Sequence, residues 1–557
     1  MNKIYRTVLG AGAAALLLMP GLLSEAAPKK SHDNAVARNL NTFNSIVRQL
    51  EANYVDTIPV ERAFETAIGG LLSEIDPYTE YYTAAQRENF KTMTTGEYGG
   101  IGSYIMERDS SVYFSGPYEG SPAARAGIRS GDRIVRIDTT DVSKARSATV
   151  SKLLKGVAGT PVTVRVIRPW AADSVLTFTM EREKLNLPSV PYYGITQGDM
   201  GYIRLTSFME KSPQEVKRAL EEFKANPAIK GVILDLRGNG GGLLEGAVEI
   251  VNFFVPKGTE VLRTKGRDGK ELKIYKTTKQ PIMPDMPLAI LIDGASASAS
   301  EITAGAMQDM DRAVLLGSRS FGKGLVQSTY PLPSDGMLKI TTAKYYIPSG
   351  RLIQALDYSR RNPDGTVAAT PDSLCHSFKT LHGREVRDGG GLQPDIKIDW
   401  GKPSRLVYNL VRDNWIFDYG TRYAATHDSV AVPSEFEITD EIYDDFKKSI
   451  DPARLKYDKV CEDMLKSLEK TAEIEGYMND STRAEFDVMR KLLTHNLEQD
   501  LDTHRKDISR YLATDILGRY YYNRGEIIHD IKTDEAVVKA AAVLRDKKER
   551  EKLGIKP

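Results

Sequence analysis

The chain is poor in the residues that most often build metal centres and disulfide scaffolds. Two cysteines in 557 residues, Cys375 and Cys461, exclude a cysteine-rich zinc site and a disulfide framework, and leave room for one bond at most. Seven histidines are scattered, and none lies in a motif beside the segments that carry chemistry, which weighs against a His-based relay. Charge of neither sign is in excess: 76 Lys and Arg stand against 75 Asp and Glu, so neither a nucleic-acid footprint nor an acidic tail is present. There is no P-loop and no G-x-G-x-x-G in a dinucleotide-binding setting, which removes the common phosphate sites. These absences predict a protein with no metal, no cofactor and no nucleic-acid partner.

What is present describes an ordinary globular protein. Hydrophobic residues make up 41% and charged residues 27%, and the length allows roughly three or four domains. Lys3 and Arg6 precede an apolar run over 8–19, Pro20 and Gly21 break it, and Ser24, Ala26 and Ala27 follow. This is the pattern of a secretory signal peptide over 1–27, with cleavage near Ala26 or Ala27; an uncleaved anchor is the alternative. The expected location is exported, in the periplasm or cell envelope, as a soluble protein or one associated peripherally with the membrane.

Residues 34–95 read as helical. Leu40, Phe43, Ile46, Val47 and Leu50 fall at helical spacing, and Phe64, Ile68, Leu71 and Leu72 mark a second helix over 60–74. The bland reading, a packing or dimerisation module, is kept. Residues 97–183 change character. A glycine loop, Gly99, Gly100, Ile101 and Gly102, leads into a strand. The pattern S-P-A-A-x-A-G-I-x-x-G-D-x-I then runs from Ser121 to Ile134. This order resembles a circularly permuted PDZ domain of bacterial type. Such a domain implies capture of a peptide C-terminus as an added strand, with its carboxylate on the N–H groups of the glycine loop.

From 184 to 285 strands and helices alternate. Ser212-Pro213-Gln214-Glu215 predicts a capping box, and an apolar strand over 231–236 runs into Arg237-Gly238-Asn239-Gly240-Gly241-Gly242. Four glycines in five residues after a strand make a nest of N–H groups suited to an anion. A second such junction follows. A strand over 288–292 is punctuated by Asp293 and Gly294, and then come Ser296, Ser298 and Ser300, separated by single alanines, at the start of a helix. A hydroxyl there sits beside the first open N–H groups of the helix, which favour developing negative charge. A glycine-flanked lysine follows in Phe321-Gly322-Lys323-Gly324, with Gln327 beyond. Lysine works as a base near neutral pH only when desolvation lowers its pKa from about 10.4, and Phe321, Leu325 and Val326 can supply apolar surroundings. Gln327 can hydrogen-bond the lysine without favouring the ammonium form as a carboxylate would. His376 and His382, in a polar segment over 357–391 read as irregular, are the weaker candidates for a base. Residues 401–557 read as a charged helical extension with no constellation of chemistry.

GASASASE followed by GSRSFGKGLVQ, together with YVD, DPYTEYY, LDLRGNGGG and GGGLQPDI, resembles the carboxyl-terminal processing peptidases, or tail-specific proteases, over roughly 36–400. The resemblance implies serine peptidases with a Ser/Lys dyad. It places the nucleophile at Ser298, the base at Lys323 and its support at Gln327. The oxyanion donors fall on the N–H of Ala299 and of Gly241 or Gly242. The implied fold is a multidomain α/β protein: a ClpP/crotonase-like peptidase core over 184–400, a PDZ-like domain over 97–183, a helical N-terminal part over 34–95 and a helical C-terminal extension. The expected function is an exported serine endopeptidase that captures substrate C-termini and cleaves through an acyl-enzyme. Its partners are protein or peptide substrates, with an adaptor, a homo-oligomer and peripheral membrane association left open. The rivals are a non-catalytic PDZ-type peptide-binding protein on the same scaffold and a His-dependent PDZ serine protease.

Overall fold

The structure is a computed structural model that describes residues 27–555, except 172–173, 363, 402–403, 456–459 and 495. The export signal expected over 1–27 lies, but for Ala27, outside the described residues. The chain divides into two compact units, at Tyr81/Tyr82.

In the first unit the helices Ala27–Asn53 and Val60–Ser73 carry the expected apolar spacing, and the rings of Phe43 and Phe64 meet edge-on at 5.8 Å. No residue of Val60–Ser73 is buried. The Asp-Pro-Tyr turn is set by Asp76, whose carboxylate accepts from the N–H groups of Tyr78 and Thr79.

The second unit is built on a six-stranded sheet in the order Tyr192–Thr196, Met200–Arg204, Gly231–Asp235, Leu288–Ile292, Val314–Gly317, Ile396–Lys397. The first pair is antiparallel and all later pairs are parallel. Parallel strands of this kind are apolar on both faces, so both faces must be covered. On one face Leu234, Ile290 and Leu315 pack beneath the helices Ser212–Ala225, Leu244–Asn252 and Ala299–Asp309. On the other, Ile233, Ala289, Leu291 and Leu316 pack against Val537, Ala540, Ala541 and Leu544 of the helix Glu535–Arg545. The end of the helical C-terminal extension therefore also covers the second face of the central sheet. Residues 405–517 do build a helical core of their own, around Leu410, Tyr443, Phe446, Leu512 and Ile516.

The PDZ-like segment forms an antiparallel sheet in the order Ser103–Arg108, Ser111–Pro117, Arg133–Ile137, Pro161–Ile167, Val175–Glu181, with Ser103–Arg108 at the edge. Val112, Phe114, Ile134, Val164 and Val166 form its core together with Val150 and Leu154 of the helix Ser147–Leu154. Ser121 caps the short helix Pro122–Ala126 by accepting from Ala124 N–H, and Gly127 ends it in the left-handed conformation. Arg108 on the edge strand makes a two-pronged ion pair with Asp418 of the C-terminal helices, with N–O distances of 2.5 and 2.9 Å.

Two local expectations give way to tertiary structure. The capping box at Ser212 does not form: the Ser212 hydroxyl accepts from Met209 N–H and donates to Ser189, while Glu215 accepts from Val190 N–H. Both side chains serve the neighbouring loop in place of their own helix. The segment over 357–391 is not irregular, since Leu356–Arg361 pairs with Val367–Ala369 and Ser377–Lys379 with Glu385–Arg387.

Candidate active site

Two strand ends create the site. Gly231–Asp235 delivers the glycine nest and Leu288–Ile292 delivers the serine turn; the strands are parallel neighbours, so both loops emerge at one edge of the sheet. Asp235 anchors the first loop. Its fully buried carboxylate accepts from the Tyr202 hydroxyl at 2.7 Å and pairs with Arg204 and Arg237. Burial opposes the charge, but the Arg237 and Arg204 guanidiniums overcome it and hold the Asp235 pKa well below the usual carboxylate range.

Three residues of the nest, Gly238, Asn239 and Gly241, join the loops. Asp293 accepts from Gly238 N–H at 3.0 Å and also from the N–H groups of Ala295 and Ser296. The Asn239 carbonyl accepts from Ala297 N–H at 3.0 Å and from the Ser300 hydroxyl at 2.8 Å. Gly241 lies so close to Ser298 that a Cβ on it would stand 2.8 Å from Ser298 Cβ and 2.9 Å from Ala299 N. Glycine is required there by this approach and by a φ of +97°.

The three serines are not equivalent. Ser296 is buried and donates to the Leu236 carbonyl, and Ser300 is buried and committed to Asn239. Ser298 alone is half-buried. It stands at the N-cap of Ala299–Asp309 with φ 57° and ψ −113°, a conformation that non-glycine residues rarely adopt. Such strain costs about 1–3 kcal/mol and persists only where the surroundings over-determine it.

Glu301 supplies part of that determination, a role that its place in the sequence motifs does not assign. Its Oε2 accepts from the N–H of Ser298 and from the N–H of Lys323, each at 2.9 Å. Its Oε1 accepts from Gly322 N–H at 2.7 Å and from the Ser320 hydroxyl at 2.5 Å. Burial pushes its pKa up, and the Ser320 hydroxyl with the three N–H groups works against that shift. Four donors arranged around two oxygens match a carboxylate. The sequence signal was there in the S-x-x-E spacing from Ser298 to Glu301.

One carboxylate oxygen thus bonds the backbones of both Ser298 and Lys323. Lys323 is half-buried, in a loop that leads into the strand Leu325–Pro331. Gln327 sits in that strand after a bulge at Val326/Gln327, and its Nε2 donates to Thr341 Oγ1 at 3.2 Å. His376 and His382 pair instead with Asp388 and Asp311.

Of the two glycines left open as oxyanion donors, Gly241 already donates its N–H to Asn239 Oδ1 at 2.9 Å. In the PDZ-like domain, Gly99 and Gly100 are paired with Lys184 and Glu183. Ile101 and Gly102 stand at the head of the edge strand, where their carbonyls accept from Ala123 and Tyr118. The Ile101 side chain is part of the domain core. Cys375 and Cys461 are unpaired. Among the described residues no cluster of His, Cys, Asp and Glu could hold a metal, and no helix is long and apolar enough to cross a membrane.

A strained serine at a strand-to-helix turn, a glycine nest against it and a peptide-capture domain on the same chain define a serine peptidase with an appended PDZ domain. Residues 199–364 match peptidase family S41, 113–168 match a PDZ domain, and 406–544 match the C-terminal helical domain of PDZ-proteases. A carboxy-terminal-processing protease of Bartonella bacilliformis is 35% identical over 322 residues, which are 57% of this chain and 73% of that protein. A CtpA-like serine protease of Staphylococcus aureus is 31% identical over 384 residues, 68% of this chain and 74% of that protein. The photosystem II D1 C-terminal processing protease is 26% identical, with a TM-score of 0.36 over 64% of this chain and 86% of that one. This chain belongs to the carboxyl-terminal processing peptidase family and is a serine-type peptidase.

Proposed function

We propose that this chain is an exported endopeptidase that captures substrate C-termini on its PDZ domain and cleaves with a Ser298/Lys323 dyad. The observation that carries the reading is the shared Glu301 oxygen, which bonds the N–H of both residues. The Ser298 hydroxyl attacks the scissile carbonyl, its proton passes to the neutral Lys323 amine, and a tetrahedral intermediate forms. The oxyanion takes hydrogen bonds from the N–H of Ala299, at the first position of its helix, and of Gly242. Gly242 is preferred because the N–H of Gly241 is engaged by Asn239. Collapse expels the amine, protonated by the Lys323 ammonium, and leaves an acyl-enzyme. Lys323 then takes a proton from water, which attacks the ester, and passes it to the Ser298 oxygen as the acyl–oxygen bond breaks and the acid product leaves. Gln327 presents its carboxamide oxygen to the ammonium, since its nitrogen is directed to Thr341.

Substrate enters as an extra strand on Ser103–Arg108, with its terminal carboxylate at the N–H groups of Ile101 and Gly102. The substrate class is protein or peptide with a free C-terminus. The N-terminal pattern supports export to the periplasm or cell envelope. Ser298→Ala and Lys323→Ala are each expected to abolish cleavage of an unfolded protein substrate while the melting temperature is kept. Full activity in either variant would exclude the dyad.

A further inference from the structure

Glu301 holds only the N–H ends of the two residues. The carbonyl ends meet a second side chain. The Tyr345 hydroxyl lies 2.8 Å from the Lys323 carbonyl and 3.3 Å from the Ser298 carbonyl. Tyr345 is fully buried on the strand Met337–Tyr346, and its own N–H donates to the carbonyl of Gly324, the residue after the lysine. Burial, reinforced by the Glu301 charge, pushes its pKa well above the ordinary value, so it is a neutral donor across the working pH range. We propose that Tyr345 is a positioning residue for catalysis, its hydroxyl closing a two-sided clamp with Glu301 that fixes the Lys323 peptide against the strained Ser298 turn.

The need for such a clamp is physical. Lys323 sits in a loop with no regular secondary structure, beside Gly322 at φ +89°. A loop of this kind samples several conformations unless its peptide groups are held. The Ser298 turn relaxes from φ 57° unless its neighbours forbid it. Using the same two side chains for both residues makes their separation a property of the clamp and not of either loop. Proton transfer depends steeply on that separation, and a misplacement of about 1 Å can cost roughly 100-fold in rate.

This inference rests on the dyad reading, so the test carries Ser298→Ala in parallel. Tyr345→Phe removes one oxygen and keeps the ring in the core. In the full chain, assayed well below the variant's own melting temperature, it is expected to lower kcat about tenfold or more, from the loss of a neutral hydrogen bond and the added freedom of the loop. KM and binding of a C-terminal peptide stay unchanged. Labelling of Ser298 by a fluorophosphonate slows in proportion to kcat. The acid limb of the kcat/KM profile moves to higher pH as water gains access to the loosened lysine. A merely structural role would lower the melting temperature without moving the pH profile or splitting kcat from KM. Wild-type kcat and pH profile in Tyr345→Phe, with Ser298→Ala inactive, overturn the clamp alone. Activity in Ser298→Ala overturns the dyad reading beneath it.

Discussion

Replacing Gly241 by alanine tests the contact on which the site depends. The added Cβ would stand 2.6 Å from the Ala297 carbonyl oxygen, 2.8 Å from Ser298 Cβ and 2.9 Å from Ala299 N. Comfortable contacts begin at about 3.5 Å, so the nest and the serine turn must part by roughly 0.5–1 Å. All three neighbours belong to the turn itself, and none is a flexible tip that could swing away. The φ of +97° adds strain of about 1–2 kcal/mol for a residue with a Cβ. Displacement on this scale at Ser298, the proposed nucleophile, predicts a fall in kcat of about 100-fold. Capture of the substrate C-terminus is proposed for the PDZ domain, so peptide binding should not change. Gly240→Ala is the control: nothing lies within 4 Å of its Cβ position, and a substitution there is expected to stay within about twofold of wild type. Steady-state cleavage of an unfolded protein, with a thermal melt and a peptide-binding isotherm for each variant, separates these outcomes. A folded Gly241→Ala enzyme with wild-type kcat would refute the close-approach argument, and equal losses at both glycines would show that the loop is merely fragile.

Three other outcomes follow from the packing. Glu526 has its pKa raised from 4.5 to about 7 by burial and by the charges of Asp515 and Asp530. Because the folded value exceeds the unfolded one, the stability from this group is complete below pH ~4.5 and is lost as pH rises through ~7, a change of about 3 kcal/mol at most. Glu526→Gln should therefore melt higher than wild type at pH 8 and nearly level with it at acid pH; equal gaps at both would contradict the assignment. Leu544 is 2% exposed against the second face of the central sheet, so Leu544→Ala should cost about 2–5 kcal/mol in denaturant unfolding, although it lies far along the chain from the motifs. A loss below half a kcal/mol would detach that helix from the core. Finally, a peptide that binds through its free carboxylate should bind about tenfold or more weakly once amidated, and unchanged affinity would place its capture elsewhere.

Much of the site could be read along the chain because its parts are local. The glycine nest and the serine turn are each a strand end followed by a helix start, and such junctions show as an apolar run, then glycines or small hydroxyl residues, then helical spacing. Glu301 is legible by its distance from Ser298 only as a helix cap, because a capping-box glutamate serves its own helix in most settings. Here its two oxygens also hold the peptide groups of Gly322 and Lys323, some twenty residues on. Ser212 and Glu215 fail in the opposite direction: the same spacing predicts a cap, and neighbouring loops claim both side chains.

By itself the sequence determined the chemistry on offer. It specified three serines at a helix start, a glycine-flanked lysine, a glycine-rich loop ahead of the PDZ-like strands and the absence of cysteine, histidine and phosphate motifs beside them. Periodicity and turn chemistry depend on neighbours within a few residues, and those are visible in one dimension. Tertiary structure alone decided which serine stays half-exposed, which glycine N–H is already engaged, and that Glu301 and Tyr345 grip both Ser298 and Lys323. It also decided that the helix Glu535–Arg545 closes the second face of the central sheet. Each of these is settled by contacts between segments far apart in the chain. Residue types restrict which such contacts can form, but only the packed sheet brings the partners within hydrogen-bond or van der Waals distance.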